Sequence, residues 1–174
     1  MDAERTYIGV DNGTTGTIGI IPVLNGYRMD EVIQFFKTPI IKQQSYTKKK
    51  QNITRLDWRG LGALLKPFHD KNPYVILEVP FNGTMLKTIK SSHRFCEATE
   101  ILLEMLKYPY RFINSREWQK EILQRPGKQP LAAEWKILST QLGEQEFPQF
   151  RNAKPKFPDF DGIWIAEWAR RNKL

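Results

Sequence analysis

The chain predicts an α/β fold: one mixed five-stranded sheet, antiparallel over strands one to three and parallel after that, with helices on both faces. Three observations lead there. Two apolar segments, residues 5–11 and 15–23, flank a glycine-rich turn and read as paired strands. Tyr74-Val75-Ile76-Leu77-Glu78-Val79 is a short, nearly continuous apolar run, the pattern of a buried parallel strand. After residue 57, helical and strand-like spacings alternate, giving the order β-β-β-α-β-α-β-α-α-α.

Each element follows from its residues. Residues 28–38 carry Val32, Ile33, Phe35 and Phe36, and complete an antiparallel meander. Residues 39–55 are polar and lysine-rich and read as a loop. Asp57 is placed to cap a helix whose apolar set, Leu61, Leu64, Leu65 and Phe68, has helical spacing. The run at 74–79 ends at Pro80, and residues 81–92 read as a loop. A helix over 92–107 carries Phe95, Thr99, Leu102, Leu103 and Leu106. Tyr110-Arg111-Phe112-Ile113 is a short strand, and Asn114 or Ser115 caps the helix after it. Further helices are predicted over 131–142 and 160–171. Residues 143–158 read as polar and irregular.

A chain of 174 residues, 40% hydrophobic and 26% charged, is expected to form a single domain over 1–174. No stretch approaches the roughly 18 apolar residues of a membrane span. The polar start, Met1-Asp2-Ala3-Glu4-Arg5, does not read as a secretory signal. Cys96 is the only cysteine, which excludes an internal disulfide and a four-cysteine zinc site. A reducing, cytoplasmic setting is expected. The net charge of +8 favours a polyanionic partner such as nucleic acid, although basic surfaces also serve solubility alone; no membrane and no small-molecule cofactor is expected. Its distribution is uneven. Between Val32 and Leu56 stand Lys37, Lys42, Lys48, Lys49, Lys50 and Arg55 with no acid among them. Arg151, Lys154 and Lys156 form a second group.

Three carboxylates stand out by position. Asp11 ends the first strand, in Thr6-Tyr7-Ile8-Gly9-Val10-Asp11-Asn12-Gly13-Thr14-Thr15-Gly16. Glu78 interrupts a buried run, where an unpaired charge costs several kcal/mol, so a metal or a basic partner is expected. Asp161 opens the last helix and shares a stripe with Ile165 and Trp168, which points it inward. Its alternative role is to compensate the helix dipole. Asp159 is either the N-cap of that helix or a fourth ligand. Oxygen donors without a histidine or cysteine cluster suit magnesium or manganese. A pair of such ions serves phosphodiester cleavage.

In Ile8-Gly9-Val10-Asp11-Asn12-Gly13-Thr14-Thr15-Gly16, Val75-Ile76-Leu77-Glu78, Phe112-Ile113-Asn114-Ser115-Arg116-Glu117-Trp118-Gln119-Lys120 and Asp161-Gly162-Ile163-Trp164-Ile165-Ala166-Glu167-Trp168-Ala169-Arg170-Arg171, the chain resembles the RuvC-type Holliday junction resolvases of the RNase H-like superfamily. The ordered pieces span nearly the whole chain. The resemblance implies a homodimer that binds four-way DNA junctions and nicks two strands with magnesium, manganese being a plausible substitute. It assigns Asp11, Glu78 and Asp161 to metal binding and catalysis. It also implies an acid or histidine about three residues before Asp161. Pro158 stands there, and Asp159 is the candidate by a shift of register. It places the helix after Glu78 at a dimer interface, although that apolar stripe can equally be core.

Other DNA-facing candidates come from chemistry. Phe81 can stack on a base or anchor its loop. Lys87, Lys90 and Arg94 can hold phosphates, as can Lys48, Lys49 and Lys50. Alternatives remain. Asp11-Asn12-Gly13-Thr14-Thr15-Gly16 also fits the phosphate loop of actin-like ATPases. Those enzymes close nucleotide between two such domains, and this length offers one. Another RNase H-like nuclease, cutting branched DNA or an RNA–DNA hybrid, fits the same acids. A non-catalytic nucleic-acid-binding module fits them less well, because acids repel phosphate unless a metal intervenes.

Overall fold

Asn25-Gly26, at φ 53° and 83°, makes a tight turn between the second strand of the first hairpin and the short strand at Tyr27–Arg28. The structure is a computed structural model and describes residues 4–46, 50–80, 86–124, 132–154 and 156–174. Strand β1 (Glu4–Val10) pairs antiparallel with β2 (Thr17–Leu24), from Glu4 against Leu24 to Val10 against Ile18. The expected third strand exists in two pieces, β3 (Tyr27–Arg28) and β4 (Gln34–Lys37), both paired to β2. A 3-10 turn, Asp30–Val32, separates them. There the Arg28 Nε donates to Asp30 at 2.5 Å and folds the chain back on itself.

Residues 39–55 differ from the loop reading. β5 (Ile40–Gln44) and β6 (Asn52–Leu56) form a separate two-stranded sheet. No residue of β5 is buried, so no alternation of apolar and polar positions marks it. The hairpin rests on backbone pairing.

Helix α1 (Trp58–Leu65) starts as expected, with Asp57 accepting from Gly60 N at 3.1 Å. β7 (Pro73–Glu78) then runs parallel to β1, and β8 (Tyr110–Ile113) parallel to β7. Between them, α2 (Leu86–Leu106) begins earlier than its apolar spacing suggests. α3 (Ser115–Ile122) is capped by Asn114, whose side chain accepts from Arg116 N at 3.0 Å. α4 (Ala132–Glu146) and α5 (Asp161–Arg171) complete the fold. The strand order is β3-β2-β1-β7-β8 with β4 beside β2. Six segments thus fill the five expected strand positions.

Alternation along the central strands divides the core in two. Ile8, Val10, Val75 and Leu77 pack with α1 and α2, through Leu61, Leu65, Phe95 and Leu103. Tyr7 and Ile76 pack on the other face with α3 and α5, through Trp118, Ile165 and Trp168. α5 lies unusually close to the sheet. Gly9 and Gly19 are register partners, and a Cβ on Gly19 would stand 2.2 Å from Ile163 Cα. The absence of side chains at this pair lets the helix backbone rest on β1 and β2. At its far end, the buried Glu167 accepts from Arg170 and Arg171 at 2.7 and 2.8 Å. Burial alone would raise the Glu167 pKa, but these bonds and the charges of Arg170 and Arg28 more than offset it and hold the pKa low.

Candidate metal centre

The parallel register brings the first two acids side by side. Val10 pairs with Leu77, so Asp11 and Glu78 come next on adjacent strands. Their neighbours face α1 and α2, and by alternation both acids turn toward the face that α5 covers. This is the carboxyl end of the parallel strands, where open α/β sheets hold their ligands. The turn after Asp11 is tight. A Cβ on Gly16 would stand 2.1 Å from the Asp11 carbonyl oxygen, whereas Gly13 faces open space. Only Gly16 is demanded by the reversal. Asn12 donates its amide to the Glu78 carbonyl at 2.8 Å, and Trp118 Nε1 donates to Glu78 Oε1 at 2.8 Å.

The other two acids arrive on the α5 side. The segment before α5 is anchored by phenylalanines: Phe150, Phe157 and Phe160 surround Phe35, with ring centroids 5.5, 4.2 and 5.2 Å away. These rings seat Asp159, which is fully buried. Asp159 is not a simple helix cap. Its Oδ1 accepts from Thr17 Oγ1 at 3.2 Å and from Asp161 N at 3.3 Å, and its Oδ2 accepts from Lys136 Nζ at 2.9 Å. Thr17 Oγ1 also accepts from Gly162 N at 3.0 Å, so one hydroxyl joins β2, Asp159 and the start of α5. Asp161 keeps 9% exposure and accepts from Ser139 Oγ at 2.5 Å.

One oxygen from each of Asp11, Asp159 and Asp161 lies within 4.8 Å of the others. Glu78 adds its charge to this group from the adjacent strand. Crowding of acids in a buried place raises their pKa values. Burial, then the charges of Glu78 and Asp159, lift Asp11 well above the usual range. Burial lifts Glu78 to about 7, against the opposing Trp118 bond. Asp161 rises to about 8, through burial and then the charges of Asp159 and Asp11. Burial pulls the Lys136 ammonium down, but Asp159, Asp11 and Asp161 more than offset it and its pKa ends raised.

These residues fit a hard divalent cation. Every donor is a carboxylate oxygen, and the cluster carries more negative charge than one lysine neutralises. Asp159 is half committed to Lys136, while Asp11, Glu78 and Asp161 face no cation as close among the described residues.

Asp11, Thr14, Thr15 and Gly16 line a cleft of about 930 Å³, walled on one side by the β5–β6 hairpin and on the other by the start of α2. Lys90, Arg94 and Lys136 line it as well. Lys50 is exposed next to Gln51, which reaches the cleft. Phe81, Lys48 and Lys49 lie outside the described residues, as does the side chain of Lys87. The second basic group is partly spent on structure: Arg151 donates to the Glu144 carbonyl at 2.9 Å, and Lys156 pairs with the Glu144 carboxylate at 3.5 Å. Lys136, Ser139, Trp118 and Thr17 were not legible as site residues. One signal existed on α4, where Lys136, Ser139 and Gly143 share a face, and a Cβ on Gly143 would meet the Phe160 ring at 2.3 Å.

Among the described residues, no helix is long and apolar enough to cross a membrane. No family model matches the chain, and no curated protein does. Solved structures do. A Thermus thermophilus RuvC in complex with a Holliday junction substrate aligns over 96% of this chain and 96% of its own, with a TM-score of 0.57 and 11% identity. A second Thermus thermophilus RuvC structure aligns over 97% of this chain and 96% of its own, with a TM-score of 0.50 and 10% identity. By its architecture, the chain has the RuvC-like fold, a mixed α/β sheet of the RNase H-like kind.

Proposed function

We propose that the chain is a metal-dependent endodeoxyribonuclease acting on branched DNA, four-way junctions above all. The observation that carries this is the convergence of Asp11, Asp159 and Asp161, with Glu78 on the adjacent strand, beside a cleft that Asp11 lines together with Lys90, Arg94 and Lys136. A basic surface attracts the DNA backbone, and the acids then need a cation to tolerate phosphate. Asp11, Glu78 and Asp161 would hold magnesium, or manganese in its place, with Asp159 contributing its free lone pairs. The chemistry that a divalent pair supplies when bound is polarisation of the scissile phosphate and a more acidic attacking water.

The chain's own residues do the rest. Trp118 fixes the Glu78 carboxylate, and Ser139 fixes that of Asp161, so neither must reorganise when substrate arrives. Burial and the charges of Glu78 and Asp159 hold the Asp11 carboxyl well above the usual range, so Asp11 would release a proton in order to hold a cation. Lys136 touches the cluster and lines the cleft, and so offers phosphate a cation at the point of entry. Lys90 and Arg94 on α2 hold the backbone, with Lys48, Lys49, Lys50, Lys87 and Phe81 as further contacts. We also assign the chain to one domain, to an intracellular setting and to a homodimer.

The test is a cleavage assay with magnesium on a four-way junction, a flap, a plain duplex and an RNA–DNA hybrid. Asp11→Asn or Glu78→Gln should retain junction binding and lose cutting by about 10³-fold or more, the scale of removing charge stabilisation from a transition state. Full activity in either variant sinks the proposal. Preference for the hybrid would transfer it to an RNA-cutting relative of the same fold.

A further inference from the structure

The β5–β6 hairpin and the first residue of α1 place an aromatic ring and an arginine on one wall of the cleft, and no metal chemistry uses either. Trp58 lines the cleft and is 47% exposed. Of the chain's five tryptophans, Trp118, Trp164 and Trp168 are buried and Trp135 is partly buried. Trp58 is the most exposed of the five, and an indole offers the broad apolar face that interfaces use. Its position is set firmly: the Asp57 side chain binds Gly60 N, and Asp57 N donates to the Pro39 carbonyl at 2.9 Å. The Arg59 guanidinium stands over the Trp58 ring, 4.9 Å from its centroid.

Arg55 is on the same wall. It pairs across the hairpin with Ile41, and both line the cleft. Its Nε is buried and has no hydrogen-bond partner among the described residues. No carboxylate pairs with it there either, and its guanidinium rests on the Tyr46 ring at 5.6 Å. A buried donor without an acceptor is unfavourable unless a ligand supplies one. Among the described residues Asp11 is the one acid that lines the cleft, so an incoming anion is the acceptor that fits.

We propose that Trp58 and Arg55 together hold one unstacked nucleotide of the DNA, with the base on the indole and the phosphate on the guanidinium. This rests on the reading of the cleft as a DNA site. Inside a duplex, both faces of a base are covered by its neighbours. An indole on the cleft wall therefore engages only a base that has left the stack, as at a branch point, a flap or a single-stranded end. The hairpin wall thus selects strands with unpaired bases, and the acids at the floor cut them.

The test is binding by the full chain in EDTA, where no cutting occurs, to an oligothymidylate, a duplex of equal length and a four-way junction. Oligothymidylate and junction should quench the tryptophan emission, and the duplex should not. Trp58→Phe should remove that quenching. Trp58→Ala should weaken oligothymidylate binding about 5- to 150-fold, which corresponds to the ~1–3 kcal/mol of one base–aromatic stack, with duplex binding and the salt slope unchanged. Arg55→Gln should lower the salt slope by about one. Wild-type affinity in Trp58→Ala, or quenching that survives in Trp58→Phe, would overturn the assignment. So would an equal loss on the duplex. The two readings fail separately. A chain that never cuts but shows the Trp58 effects keeps this inference and loses the nuclease. A chain that cuts and shows no Trp58 effect does the reverse.

Discussion

Glu78 and Asp161 hold protons to about pH 7 and about pH 8, far above an unfolded carboxylate near pH 4. Across that window the native state binds more protons than the unfolded chain. The slope of stability against pH is therefore negative, and the cluster's contribution falls as pH rises from about 4 to about 8. In EDTA, calorimetry should record a lower Tm at pH 8 than at pH 5.5. Magnesium or manganese should raise Tm more at pH 8, because the ion replaces the protons and relieves the repulsion. Asp161→Asn should flatten both trends. A Tm independent of pH and metal would mean that the acids do not act together. At this scale the sequence was informative where a residue broke a pattern. Asp11 ended an apolar strand and Glu78 interrupted one, so both were readable. Lys136 and Ser139 broke nothing. On α4 they flank Trp135, Leu138 and Leu142 and look like an ordinary solvent face. They become site residues only because the aromatic anchors seat Asp159 against Lys136 and the start of α5 sets Asp161 against Ser139.

Helix α5 and the β1–β2 pair act as one element, because the helix backbone rests on Gly9 and Gly19. Gly19→Ala would drive a methyl into Ile163 and force the helix away from the sheet. Overpacking of this kind costs about 1–3 kcal/mol. Because Asp161 starts the helix, urea unfolding of Gly19→Ala should show that loss together with a smaller stabilisation by magnesium. A stability loss with unchanged metal response would mean that the helix position does not set the centre. The helices and the three central strands were legible because each buries a face and so shows its period. The β5–β6 hairpin was not, since β5 buries no residue and β6 fully buries only Leu56. The first turns of α2 were missed for the same reason: Leu86, Thr88 and Lys90 are exposed. Regular backbone pairing is invisible in sequence when side chains have no core to face.

At the scale of the whole molecule, one face of α2 stands apart from the cleft. Cations line the cleft, while Ile101 and Met105, 56% and 68% exposed and one turn apart on α2, present an apolar strip. That strip supports the proposed homodimer, whose two copies would each cut one strand. Sedimentation of the double variant Ile101→Glu, Met105→Glu should give monomers where the unaltered chain gives dimers, with the circular dichroism spectrum unchanged. Identical sedimentation would remove α2 from the interface. Lys136 decides a different matter. An ammonium already sits against Asp159, the most deeply buried of the four acids, so the centre is assembled before any ion arrives. On the proposed function, an arriving ion would bring charge and not architecture. Small zinc domains lose their fold with their metal, but this chain should stay folded and silent in a chelator and resume cutting on resupply with no refolding lag. Its activity would then track the supply of free cation in its surroundings, minute by minute, with the shape of the protein held constant.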